Sequence, residues 1–167
     1  MKKVLAVIGI LVLAAGLLTA CGSKGNGGGE TQQVDLSAFW DAEEQKYQWG
    51  KDYFADLDDE LMEDYYPGLK DISTKQLIVK VPMMSAVVQE MVFAEADNEE
   101  DAGKIAEILQ KRADDQAAGG AWYPESMEEW EKAKVVTHGC YAALVAVSDN
   151  GDEIVSDFNA LFDEQAS

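Results

Sequence analysis

The sequence predicts an α+β domain: an antiparallel sheet of about four strands, laid out as two hairpins, covered on one face by helices and preceded by two short helices. Three observations carry that expectation. The spacing of apolar residues changes along the chain from near 3.6 to near 2 and back. Two pairs of extended segments are each split by a short connection containing turn-prone residues. The order strand, strand, helix then occurs twice, which suits neighbouring antiparallel strands with helices packed against them.

The first 33 residues stand outside this domain. Lys2 and Lys3 precede an apolar or small-residue run from Val4 to Leu18, the layout of a secretory signal peptide. Fifteen residues are short for a spanning helix, which needs about 20. The run closes on Leu18-Thr19-Ala20-Cys21, which looks like the lipobox of bacterial lipoproteins. The resemblance implies cleavage before Cys21, a diacylglyceryl thioether on its sulfur, and a place on the outer face of the cell membrane. Residues 1–20 are then the signal peptide and 21–33 a lipidated cysteine with a Gly-rich tether, too polar to bury a core. The tether's "GNGGGE" lacks the Gly-Lys-Ser/Thr ending of a phosphate-binding loop.

Residues 34–167 form the single acidic domain, long enough to bury a core without disulfide staples. Asp35 is placed to cap a helix carrying Leu36, Phe39, Trp40 and Tyr47. Leu57, Leu61 and Tyr65 stand four apart in a second short helix that stops at Pro67-Gly68. "QLIVKVP" and "AVVQEMVFAEA" make the first hairpin around "PMMS". The longest helix begins at either Asp97 or Asn98 and breaks at Gly119-Gly120. Ser126 and Glu129 have the spacing of a capping box for a short helix through Trp130. "KVVTHG" and "CYAALVAV" supply the second hairpin, and Ile154, Val155, Phe158, Leu161 and Phe162 mark an amphipathic terminal helix.

Taken as an ordered set, the lipobox, the tether, "DLDDELMEDYY", "VKVPMM", the long acidic helix and "CYAALVAVSDN" resemble an uncharacterised Clostridia-type lipoprotein family catalogued as a domain of unknown function. The resemblance runs from about Val34 to Ala160. It implies no activity, cofactor or catalytic residue.

Charge narrows the function classes. Removing Lys2 and Lys3 from 13 basic residues leaves 11 against 32 acidic ones, a formal −21 for the processed chain. Such a domain repels phosphodiester backbones, so nucleic acid is excluded as a partner, and the same field favours cationic ligands. Its plainer role is solubility, and the domain is expected to be a monomer.

Chemical motifs are sparse. His138 and Cys140 lie two apart, but a zinc site needs at least three ligands and this is the only histidine, so an edge-strand histidine beside a buried cysteine is the expected arrangement. With Cys21 lipidated, Cys140 would have no partner within the chain. The seven acids between Asp52 and Asp64 lack the glycine and glutamate of an EF-hand loop and read as a solvated helix start, with loose calcium binding as the alternative. No metal site and no cofactor is expected. Met83, Met84, Trp122, Tyr123 and Trp130 form the candidate contact patch for a protein, peptide or cationic ligand, since methionines and aromatics beside mobile glycines suit adaptable binding. The reading that follows is a membrane-tethered, non-catalytic binding module. Its alternative is a cell-envelope hydrolase using carboxylates, for which no nucleophile motif stands in the chain.

Overall fold

The computed structural model describes residues 33–163, apart from 51 and 85. The expected signal peptide, Cys21 and nearly all of the tether lie outside the described residues.

The first helix, α1 (Leu36–Tyr47), starts where expected: the Asp35 carboxylate accepts from the backbone N–H groups of Ser37 (3.0 Å) and Ala38 (3.1 Å), which have no partner inside the helix. It ends at Gln48, which adopts the left-handed conformation (φ 54°). A two-residue strand, β1 (Phe54–Ala55), follows, and then α2 (Asp59–Tyr65), capped by Asp58. Leu57 stands just before that helix rather than in it. Asp59 and Glu60 occupy the first turn, where negative charge is favoured.

The first hairpin consists of β2 (Thr74–Pro82) and β3 (Gln89–Ala96). Next come α3 (Glu99–Asp115), a π-helical turn (Gln116–Gly120) and α4 (Pro124–Trp130). The second hairpin, β4 (Lys134–His138) and β5 (Tyr141–Val147), leads to α5 (Gly151–Asp163). Of the two possible starts for α3 the chain uses Asn98, whose side chain accepts from the Asp101 N–H at 2.9 Å. The capping box at Ser126 does not form: α4 begins one turn's fraction earlier, at Pro124, and Ser126 is buried inside it. Proline at the first helical position is pre-set for the helix and wastes no N–H, so it displaces the serine as the start.

The sheet is fully antiparallel with strand order β1-β2-β3-β5-β4. The class is α+β as expected, with two corrections. The strands number five, because β1 pairs Phe54 with Pro82 and Ala55 with Val81; two residues are too few to show alternation in sequence. Helices also cover both faces rather than one. On one face Val92, Ala94, Ala142, Leu144 and Ala146 pack with Ala102, Ile105, Leu109 and Ala113 of α3. On the other, Met91, Phe93, Ala143 and Val145 pack with Leu36, Phe39 and Trp40 of α1 and Ile154 and Phe158 of α5. Every residue of β3 and β5 is therefore buried. Alanines on the α3 side let that helix approach closely, while rings fill the wider gap opposite, with Phe93 edge-on to Phe39 at 5.1 Å.

The chain enters the domain through a polar clamp at one end of the sheet. The Val34 N–H donates to the Tyr141 hydroxyl (3.1 Å), and the Leu36 N–H donates to the Gln76 side-chain oxygen (2.9 Å). The Gln76 amide nitrogen donates to Val34 O (2.7 Å) and to Glu95 (2.6 Å).

Candidate functional site

At the opposite end of the sheet, between β3, α3 and α4, lies a cavity of about 320 Å³. Its floor is built around a buried carboxylate. Glu90 occupies the strand position facing α3, where neighbouring Val92 and Ala94 meet apolar side chains. The last turn of α3 supplies Arg112, whose Nε and Nη2 donate to the two Glu90 oxygens, each at 2.9 Å. Tyr66, following α2, donates its hydroxyl to Glu90 Oε1 at 2.5 Å. Ionic hydrogen bonds of this forked geometry are the stronger kind, and here they satisfy a carboxylate that burial alone would destabilise.

Rings hold the guanidinium in place. It lies 4.2 Å from the Tyr65 ring centre and 5.4 Å from that of Trp130. Burial acts against the charge on Arg112, but the Glu90 hydrogen bonds and charge outweigh it and raise the guanidinium further above its ordinary value. Burial, followed by the adjacent Glu90 charge, raises the Tyr66 hydroxyl well above its ordinary value, so Tyr66 stays a neutral donor.

The rim depends on the π-helical turn after α3. Gly119 has φ +121°, a conformation side chains rarely adopt, and a Cβ on Gly120 would come within 2.8 Å of the Asp115 carbonyl oxygen. The two glycines thus let the helix end abruptly and turn Gln116, Ala121 and Trp122 onto the cavity.

Of the predicted patch, Met83, Trp122 and Trp130 line this cavity together. Met83 and Trp122 are 65% and 87% exposed, whereas Trp130 is buried and forms a wall. Met84 instead borders a smaller adjoining hollow of about 150 Å³ with Asp52 and Tyr53. Tyr123 is exposed immediately before α4.

Sequence reasoning passed over Glu90, Arg112, Tyr65 and Tyr66. A signal was present for two of them: Arg112 is the only arginine among 13 basic residues, and Glu90 interrupts an apolar strand. The tyrosines sit in the acidic segment and looked like ordinary helix residues.

The other expected chemistry is placed elsewhere. His138 shares a hydrogen bond of 2.9 Å with the Asn159 side chain and stacks on Phe162 at 4.6 Å, an edge-strand position tied to α5. Cys140 is buried at the head of β5 and is not a free thiol. Among the described residues no three His, Cys, Asp or Glu side chains gather in a way that could hold a metal ion. None of the described helices is long and apolar enough to cross a membrane.

Fold and site together define a pocketed α+β domain: a five-stranded antiparallel sheet between two helical layers, hollowed at one end over a buried Arg-Glu-Tyr cluster. Residues 48–147 match the family model described as Domain of unknown function (DUF4358), and this is more than half of the chain. The chain belongs to that family. The matched stretch spans all five strands and every cavity residue named above, leaving α1 and α5 outside. No curated protein and no solved structure matches the chain.

Proposed function

We propose that the protein is a lipoprotein held to the outer face of the cell membrane through Cys21, of the Clostridia-type group its motifs resemble, and that its domain is a non-catalytic module taking a ligand or a partner's side chain into the cavity between β3, α3 and α4. The observation that carries the binding part is the convergence of Met83, Trp122 and Trp130 on one cavity whose rim side chains stand exposed. Its volume falls at the lower end of the range for small-ligand pockets, about 300 to 1,000 Å³.

Two further features support the reading. The chain enters at the Glu95 and Tyr141 end of the sheet, and the cavity opens at the Gln89 and Glu90 end. Five residue steps along the strand lead from Glu90 to Glu95, about 17 Å at roughly 3.3 Å each, so the cavity and the chain's entry lie at opposite ends of the sheet and the tether leaves the cavity clear. The carboxylate lining the cavity, Glu90, has both oxygens engaged by Arg112 and one also by Tyr66. Glycoside hydrolysis needs two available carboxyl groups, which favours binding over the hydrolase alternative.

A photocrosslinking residue at position 122, expressed in cells, should form adducts that the same residue at exposed position 152 does not. Equal yields at the two positions would remove the cavity from consideration. Lipidation is tested separately by Cys21→Ala, which should abolish palmitate labelling and release the protein from membranes. The intact mass of membrane-extracted protein reads the modification directly. A lipid-free mass would end the anchoring proposal.

A further inference from the structure

The cavity floor also constrains what the occupant presents. Arg112 commits Nε and Nη2 to Glu90, leaving Nη1 as the guanidinium nitrogen not used in that pair. The Glu90 side chain is 4% exposed and the Arg112 side chain 13%, and both line the cavity, the carboxylate with its two oxygens already engaged. Gln89 and Gln116, also on the cavity, add side-chain amides that can donate. Against this cluster stand the apolar surfaces of Met83, Trp122 and Trp130.

Resting on the binding reading above, we propose that the occupant carries a carboxylate beside an apolar group, as the C-terminal residue of a peptide does. The carboxylate meets Arg112 Nη1, and the apolar group lies among Met83, Trp122 and Trp130. A cationic group on the floor would find the Glu90 oxygens already engaged by Arg112 and Tyr66, so the domain's acidic exterior is a poor guide to its cavity. The −21 exterior does not forbid the match, because at physiological ionic strength charges beyond about 8 Å are largely screened. Arginine's planar fork suits this use: two donors can remain on Glu90 while the third nitrogen serves a second oxygen.

The test uses the full chain in detergent at physiological ionic strength, with two probes: N-acetyl-leucyl-phenylalanine and its C-terminal amide. Binding is read from the methyl resonance of Met83 and from tryptophan fluorescence. The acid is expected to bind at least about tenfold more tightly than the amide, and Trp122→Ala to weaken both. Glu90→Gln removes the charge that neutralises Arg112 and should raise the ratio of acid to amide affinity about threefold or more. A purely structural Glu90 would not produce that sign. Should Glu90→Gln fail to fold, the contrast between acid and amide in the unaltered protein decides alone. Equal binding of both probes at Met83 would overturn the carboxylate inference and leave the cavity a binding site. No response to either probe would overturn the inference as well, with the crosslinking experiment at position 122 judging the cavity independently.

Discussion

Glu43 offers the sharpest quantitative test of how the two helices on the far face are held together. It projects from α1 with only 4% of its surface exposed, and among the described residues its Oε2 makes no hydrogen bond. Its surroundings are Lys46 and Tyr47 from its own helix and Glu153 and Asp157 from α5, with Lys46 bridging to both acids. Burial, followed by the negative charge of Asp157, pushes the carboxyl from an ordinary 4.5 up to about 7. The folded protein therefore holds this proton more tightly than the unfolded chain. The stability it contributes is fully present below pH 4.5 and is lost as pH rises through 7. At 1.36 kcal/mol per pH unit the difference has an upper bound of about 3 kcal/mol. Lys46 and Asp157 are more than a third exposed, so solvent screens the cluster and about 1 to 2 kcal/mol is the expected loss. Urea unfolding of the wild type and Glu43→Gln at pH 5 and pH 8 measures it. The difference between the two proteins cancels repulsion among the other acids, and the variant should gain about 1 to 2 kcal/mol on the wild type between the two pH values. Curves that stay parallel across that range would refute a proton held at Glu43.

Three further outcomes follow from the cavity floor and rim. Tyr66→Phe removes a hydrogen bond to a buried carboxylate and should cost about 1.5 to 3 kcal/mol in denaturant unfolding. Arg112→Met leaves Glu90 buried without its ion partner and should cost about 3 to 5 kcal/mol, much of it recovered when Glu90→Met is added. Recovery confined to the double variant is the signature of an uncompensated charge; no recovery would mean that ring packing by Arg112 dominates. Gly119→Ala forces a side chain into a left-handed conformation, and a loss of about 1 kcal/mol or more is expected in thermal melts, accompanied by a changed Trp122 environment in fluorescence.

Local patterns were sufficient for much of the architecture. Asp35 ahead of apolar residues at helical spacing fixed the start of α1 and narrowed that of α3 to Asp97 or Asn98, because a capping side chain answers to backbone N–H groups two or three residues away. Two hairpins could be read from their own residues for the same reason. Tertiary structure alone decided the rest. Whether β3 buries one face or both depends on which helices arrive, and a short apolar run such as "MVFA" fits either until α1 and α5 are placed opposite α3. β1 exists only because β2 offers Val81 and Pro82 to pair with. Met83, Trp122 and Trp130 had the composition of a contact surface, but their meeting on one cavity required the β2–β3 connection and the turn after α3 to fold to the same end of the sheet. The partnership of Glu90, Arg112 and Tyr66 joins positions 22 and 24 residues apart. A carboxylate in a strand becomes a neutralised floor only when the helix that brings its arginine has packed, since burial and charge pairing are properties of the assembled core and not of any one segment.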